Sequence, residues 1–156
     1  MKKISYIVFD HDGTLVDTSK LPTSLYPGIK DLLLFLRKNE VKLYVWTARS
    51  RTSTADILEK HGVLSFFDDI CGSDNAPGKP SPAGINFLLP GVKPENVVVI
   101  GDSLGDIFGG SKFGAHCIGA MWGHGDASAE STYAEYGAKV SFIEISKLKK
   151  YIDKII

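Results

Sequence analysis

Six side chains carry the chemistry open to this sequence: Asp10, Asp12, Thr47, Lys79, Asp102 and Asp106. Asp10 and Asp12 stand two residues apart, and such carboxylates repel unless a cation lies between them or one holds a proton. Hard oxygen ligands of this kind suit Mg²⁺. A carboxylate can also attack phosphorus and form an aspartyl phosphate. A cation held by Asp10 and Asp102 would neutralise the phosphoryl oxygens, so that one anion can meet another. Lys79 offers a point charge for a further oxygen, and the Thr47 hydroxyl with turn N–H groups offers neutral donors. Asp12 is then placed to protonate a leaving oxygen and later to activate water. Each residue has a duller reading on its own: an acidic turn, a helix cap, a surface lysine.

What decides against the dull readings is where the elements put these groups. Ile4 to Phe9 is an almost unbroken apolar run, the pattern of a strand covered on both faces. Its polarity flips at Asp10, and Gly13 releases the backbone into a turn. Val41 to Trp46 reads as a second buried strand ending at Thr47-Ala48. A short third strand near Asp69 to Gly72 precedes the loop that carries Lys79. Val97 to Ile100 is the clearest strand, and Gly101-Asp102-Ser103-Leu104-Gly105-Asp106 follows it. Ala115 to Gly119 supplies a fifth strand, and Lys139 to Phe142 an edge strand. Helices are expected at Ile29–Asn39, at Thr52–His61 with Ser53 as N-cap, and from Ser81 towards Leu89. Others follow through Ile107 and Phe113, across Ala127–Tyr136, and from Ile145 to the end. Val16 to Tyr26, with Pro22, reads as irregular. Strands alternating with helices make a parallel sheet between helical layers. Every polar group named above then lies at the carboxyl edge of that sheet, where open α/β folds place ligands.

Composition narrows the classes. The 156 residues are 44% hydrophobic and 23% charged, enough for one domain, 1–156, with a real core. Eighteen basic residues balance eighteen acidic ones, so a nucleic-acid partner is not favoured. Cys71 and Cys117 build no disulfide framework and no zinc site, and read as buried apolar residues. No signal peptide and no bilayer-length apolar run is evident, which points to the cytoplasm and to no membrane partner.

The string Asp10-His11-Asp12-Gly13-Thr14, then Thr47, then Lys79-Pro80, then Gly101-Asp102 through Asp106, resembles the haloacid dehalogenase (HAD) superfamily. All four of its motifs occur in the family order. Phe9 to Thr18 and Lys79-Pro80-Ser81-Pro82 are similar to the phosphoglycolate phosphatase-like branch. The resemblance implies an α/β fold: a HAD-like Rossmannoid three-layer sandwich with a parallel sheet of order 5-4-1-2-3. It implies Mg²⁺-dependent phosphatase chemistry, with Asp10 as nucleophile and Asp12 as general acid and base. Gly13, Thr47, Ala48 and Lys79 would bind phosphate. Asp10, the Asp12 carbonyl and Asp102 would hold Mg²⁺, with Asp106 in support. The branch carries a helical cap between its first two motifs; here that interval is too short, so no cap domain is expected. A phosphorylated small molecule or macromolecule would be the substrate, with the site covered by the substrate itself, covered by a second subunit of a homo-oligomer, or left open in a slow and unselective enzyme.

Two other classes were open: a phospho-accepting receiver-like signalling domain, and a non-catalytic HAD-like binding scaffold. Motif order speaks against the receiver, because Asp102 follows Lys79-Pro80 here. Asp12 speaks against the scaffold, which needs no acid–base group. Arg49 and Arg51 read as either surface residues or receptors for an anionic substrate tail. His11 is expected to point away from both carboxylates by strand alternation. Trp122 reads as the anchor of a Gly-rich loop that includes His124.

Overall fold

A computed structural model describes residues 3–156; Met1 and Lys2 of the expected 1–156 unit lie outside the described residues. Strands β1 (Tyr6–Phe9), β4 (Lys42–Trp46), β5 (Asp69–Cys71), β6 (Val97–Gly101), β7 (His116–Ala120) and β8 (Ala138–Phe142) form one sheet. Its order is β5-β4-β1-β6-β7-β8, and every pairing is parallel. Leaving β8 aside, this is the expected 5-4-1-2-3 arrangement. The expected edge strand takes the sixth place beside β7.

Alternation along β1 shows why the sheet needs cover on both sides. Ile7 and Phe9 point into one core with α1 (Ile29–Lys38) and α6 (Ile145–Asp153). Val8 points into the other, with α3 (Ala83–Leu88) and α4 (Leu104–Phe113). All three strand residues are fully buried. Helix α1 contributes Ile29, Leu32, Leu33 and Leu36, all at zero exposure, on one stripe of its surface. A side chain of that size stabilises by about 1.5–3 kcal/mol when fully buried. Helix α5 (Glu130–Tyr136) presents Tyr133 to the second core. The layers are therefore helix, sheet, helix, as the pattern requires.

Four local expectations change. Helix α3 starts at Ala83 with Pro82 as its N-cap, so Ser81 does not cap it. Helix α2 (Arg51–Lys60) begins one residue before Thr52, and its N-cap is Ser50, whose side chain accepts from the Ser53 N–H. Both serines fit the composition of a cap. Ser50 has the extended backbone that a cap needs, whereas Ser53 is already within the helix. Helix α5 starts at Glu130 rather than Ala127. The segment after β1 is not wholly irregular: β2 (Val16–Asp17) pairs antiparallel with β3 (Ser24–Leu25). Pairs of two residues are below what hydrophobic periodicity can register. Among the described residues no insertion folds as a cap over the sheet edge, and no helix is long and apolar enough to cross a membrane.

Candidate active site

β1 lies between β4 and β6, so its carboxyl end meets the ends of both neighbours. The Asp10 N–H donates to the Ile100 carbonyl at 2.9 Å, which continues the ladder one residue past the strand. The chain then turns sharply: the N–H groups of Thr14, Leu15 and Val16 all point at the His11 carbonyl. Gly13 sits in this turn at φ +81°, and a Cβ there would collide with the Asp102 carboxylate. Glycine is thus required twice, by backbone angle and by the approach of β6's acidic end. Thr14 closes the same contact from the other side, its hydroxyl donating to Asp102 Oδ1 at 3.2 Å.

Asp10, Asp102 and Asp106 come together, each offering a carboxylate oxygen within 4.8 Å of the others. Lys79 enters this group from the loop after β5. Its Nζ donates to Asp10 Oδ1 at 2.9 Å, to the Trp46 carbonyl at 2.8 Å and to Asp106 Oδ1, and lies 4.7 Å from the Trp46 ring centroid. Lys79 is therefore no surface lysine: its side chain is only 10% exposed. Asp106 is at the third position of α4 in a capping box with Ser103. Its Oδ2 accepts from the Ser103 N–H at 3.0 Å while the Ser103 hydroxyl accepts from the Asp106 N–H at 3.1 Å.

Charge is held here at a cost. Burial pushes the Asp10 carboxyl up to about 6, against the pull of Lys79. Burial does the same to Asp106, also to about 6, again against Lys79. Asp102 is raised too, first by burial. Burial works against the Lys79 ammonium, but Asp106 and Asp10 outweigh it and raise its pKa. Three carboxylates with one ammonium leave an excess of negative charge in a confined space. A hard divalent cation fits that donor set, since each oxygen it binds is relieved of the charge that burial penalises.

Asp12 behaves differently. Its carboxylate is taken up by Arg49, with Nε at 3.2 Å from both oxygens and Nη2 at 2.8 Å from Oδ1. Burial tends to raise the Asp12 carboxyl, but contacts from His11, Arg49 and Thr18 outweigh it and hold it well below the usual carboxylate range. Asp12 is the more open of the two carboxylates, with 35% of its side chain exposed against 11% for Asp10. Arg49 is also fixed from behind by Nη1, which donates to Ser53 Oγ at 2.9 Å.

His11 reverses its expectation. The ring is fully buried, and Nδ1 lies 3.5 Å from Asp12 Oδ2. Strand alternation fails as a guide because β1 ends at Phe9, and the turn that follows sets the ring direction instead. Neither ring nitrogen has a hydrogen-bond partner among the described residues. Thr47 is buried at the end of β4, where its hydroxyl accepts from the Arg49 N–H at 3.1 Å. Thr47, Ala48 and Lys79 line one cavity of about 160 Å³, while Asp12, Gly13 and Asp102 line a cleft of about 290 Å³. Trp122 anchors its loop as expected, donating from Nε1 to the Thr14 carbonyl at 2.8 Å. His124 sits 3.3 Å from the Tyr133 hydroxyl, which itself donates to the Asp102 carbonyl. Arg51 turns away from the site to pair with Asp69 at 2.8 Å.

The sequence pattern did not show the Arg49–Asp12 pair, because a long side chain can reach several neighbours from one strand end. Nor did it show Tyr133, which reads as an ordinary aromatic in a short helix. A Ser-x-x-Asp pattern at Ser103 to Asp106 was visible and is the signal that predicts the cap.

Comparisons with known proteins bear on the family and on the fold. The model of the family described as haloacid dehalogenase-like hydrolase matches residues 21–120. A phosphoglycolate phosphatase from Vibrio cholerae is 34% identical over 112 residues, which cover 69% of this chain and 50% of that protein. Phosphoglycolate phosphatase 1 from Pseudomonas aeruginosa is 32% identical over 113 residues, 69% of this chain and 42% of that protein. The chain thus spans about half the length of these curated relatives, or less. Among solved structures, a predicted phosphatase from Clostridium acetobutylicum superposes with a TM-score of 0.85 at 20% identity, covering 98% of this chain and all of that one. A haloacid dehalogenase-like family protein from Streptococcus pneumoniae does so with a TM-score of 0.81 at 22% identity, covering 95% and 98%.

Proposed function

The chain belongs to the haloacid dehalogenase-like hydrolase family, and on that premise we propose that it is a Mg²⁺-dependent phosphatase that hydrolyses phosphate monoesters through an aspartyl phosphate on Asp10. The observation that carries this reading is the convergence of Lys79 on Asp10 beside Asp102 and Asp106, with Asp12 on the turn immediately after. The names of the curated relatives support a small phosphate ester as substrate.

The steps assign one task to each group. An Asp10 oxygen attacks phosphorus, and the bond from phosphorus to the ester oxygen breaks. Asp12, a carboxylate while Arg49 holds it, takes up a proton as the ester binds, gives it to the leaving oxygen and so becomes a carboxylate again. In the second half, Asp12 takes a proton from water, the water oxygen attacks phosphorus, and phosphate departs from a regenerated Asp10. Lys79 holds its charge against the phosphoryl oxygens, and Thr47 with the N–H groups around Ala48 and Gly13 supplies neutral donors. Asp10, Asp102, Asp106 and the Asp12 carbonyl would hold the cation, which when bound would neutralise charge on the phosphoryl group. Thr14 and the capping box keep Asp102 and Asp106 directed at this point.

The deciding experiment measures phosphate release from a panel of monoesters with Mg²⁺ and with chelator, together with the mass of the peptide carrying Asp10 after a rapid acid quench. A phosphorylated peptide that vanishes in Asp10→Asn supports the reading. Phosphate release that persists in that variant at the wild-type rate overturns it.

A further inference from the structure

Arg49 stands between two spaces. On one side it occupies both oxygens of Asp12. On the other it lines a cavity of about 450 Å³, together with Thr18, Thr23, Lys60 and His61. Thr18 also borders the cleft at Asp12, Gly13 and Asp102, so the cavity and the cleft share a wall. Within this lining the Thr23 hydroxyl and His61 Nε2 lie 2.9 Å apart and join the segment between β2 and β3 to the end of α2. Among its described lining residues, the ionisable ones are basic or histidine: Arg49, Lys60 and His61. Leu21, Pro22 and Ile57 complete the wall with apolar surface.

With Arg49 forked onto it, Asp12 has no oxygen left free of a cation, and an acid–base group must reach the leaving oxygen directly. Resting on the phosphatase reading above, we propose that Arg49 is a latch on Asp12 released by the substrate: the preferred ester carries a second anionic group on its alcohol, that group enters the Thr18–Arg49–Lys60–His61 cavity, and it draws the guanidinium off Asp12. The geometry suits this exchange. The guanidinium has donors enough for two partners and already divides them between Asp12 and Ser53. The second anion replaces the Asp12 carboxylate as partner, so the guanidinium does not lose an ion pair when Asp12 is freed. The substrate class is a phosphate monoester of a hydroxy acid or of a diol bearing a second phosphate. Arg49 is a positioning residue in this scheme, and its contribution depends on which ester is offered.

The test compares kcat and KM for three esters of matched length with Mg²⁺ present: a phosphorylated hydroxy acid, a diol bisphosphate and an alkyl phosphate with a neutral tail. The wild-type protein should favour at least one of the doubly anionic esters by about tenfold or more in kcat/KM, the size of a charge-assisted contact. Which of the two wins identifies the second anion as carboxylate or phosphate. Arg49→Ala should bring that ratio close to one, by raising KM for the doubly anionic ester and raising kcat for the neutral one. Arg49→Lys, which keeps the charge without the fork, should retain part of the ratio. A structural role for Arg49 would instead lower all three esters by one factor, and that result overturns the latch. A flat wild-type ratio overturns it as well. Should Arg49→Ala fail to fold, Lys60→Glu in the lining of the same cavity must reduce the same ratio, and an unchanged ratio there overturns the latch. Phosphate release from none of the three esters by the wild-type protein would bring down the phosphatase reading and the latch together; release with a flat ratio brings down the latch alone.

Discussion

Asp10 and Asp12 are two residues apart and live in different electrostatic worlds. Asp10 is buried at a sheet end, raised to about 6 by burial and steadied by a lysine that is itself enclosed. Asp12 is part-exposed on a turn and held low by contacts that include an arginine from the neighbouring strand end. The first environment is built from strands and a capped helix, elements that cannot shift without breaking the core. The second is built from a turn and a side chain of many torsions. A group that must meet phosphorus in one orientation belongs in the first. A group that must give a proton and later take one is better placed in the second, where its partner can be exchanged.

Asp10→Asn should produce the largest effect, a fall in turnover of about 10³-fold or more, because the nucleophile acts as part of a unit with its neighbours. Circular dichroism of that variant should stay close to wild type. Asp12→Ala should slow turnover by about 10²–10⁴-fold and should slow decay of the phosphoenzyme as well as its formation. Unchanged decay in rapid-quench measurements would remove Asp12 from the second step. Lys79→Ala should lower kcat by about 10²–10³-fold, the range for losing one preorganised charge at a phosphoryl group. A loss below about tenfold would mean that the buried lysine serves the fold and not the reaction.

Next in size is a pH effect that separates the two environments in the metal-free protein. Asp10 and Asp106 are raised from 3.8 to about 6 in the fold, so the folded state binds more protons than the unfolded chain between those values. Stability with chelator should therefore fall as pH rises from about 4 to about 6, and saturating Mg²⁺ should flatten or reverse that slope. Asp12 has the opposite sign: its lowered pKa contributes stability above the unfolded value, lost only as pH falls further. Thermal midpoints across this range, with and without Mg²⁺, read the sign directly. A midpoint that climbs with pH under chelator would contradict the burial account of Asp10 and Asp106. The smallest effect expected is that of Ser53→Ala, which removes one anchor of Arg49. It should cost about 0.5–1.5 kcal/mol in urea denaturation, the net worth of one hydrogen bond.

The contrast also explains what the sequence could reveal. Asp10, Thr47, Lys79 and Asp102 were legible because each follows a recognisable buried run, and parallel strands collect their ends on one edge. The sixth strand was legible for the same reason, whereas the sheet order followed from the resemblance to the HAD superfamily and not from the runs themselves. Ser50 was less so, because two serines three residues apart fit one cap and only backbone conformation chooses between them. The direction of His11 was not legible, since it sits in a turn whose hydrogen bonds override the strand period. The Arg49–Asp12 pair was out of reach for a related reason: residues 37 apart meet through the end of a flexible side chain. Periodic elements announce themselves in sequence, and the contacts between their loops do not.

The division of labour within the Asp106 carboxylate links the reaction to the breathing of the chain. One oxygen closes the first turn of α4 and the other receives Lys79. Fraying of that turn therefore takes one of the lysine's three acceptors away, and loss of the lysine leaves the Asp106 carboxylate buried without its cation, so the turn and the lysine are coupled. The Ser103 and Asp106 amides, both held by the capping box, become natural reporters of the site. Their hydrogen exchange should slow when a phosphate analogue such as vanadate engages Lys79, while amides in the middle of β6 keep the exchange rate of the whole domain's unfolding.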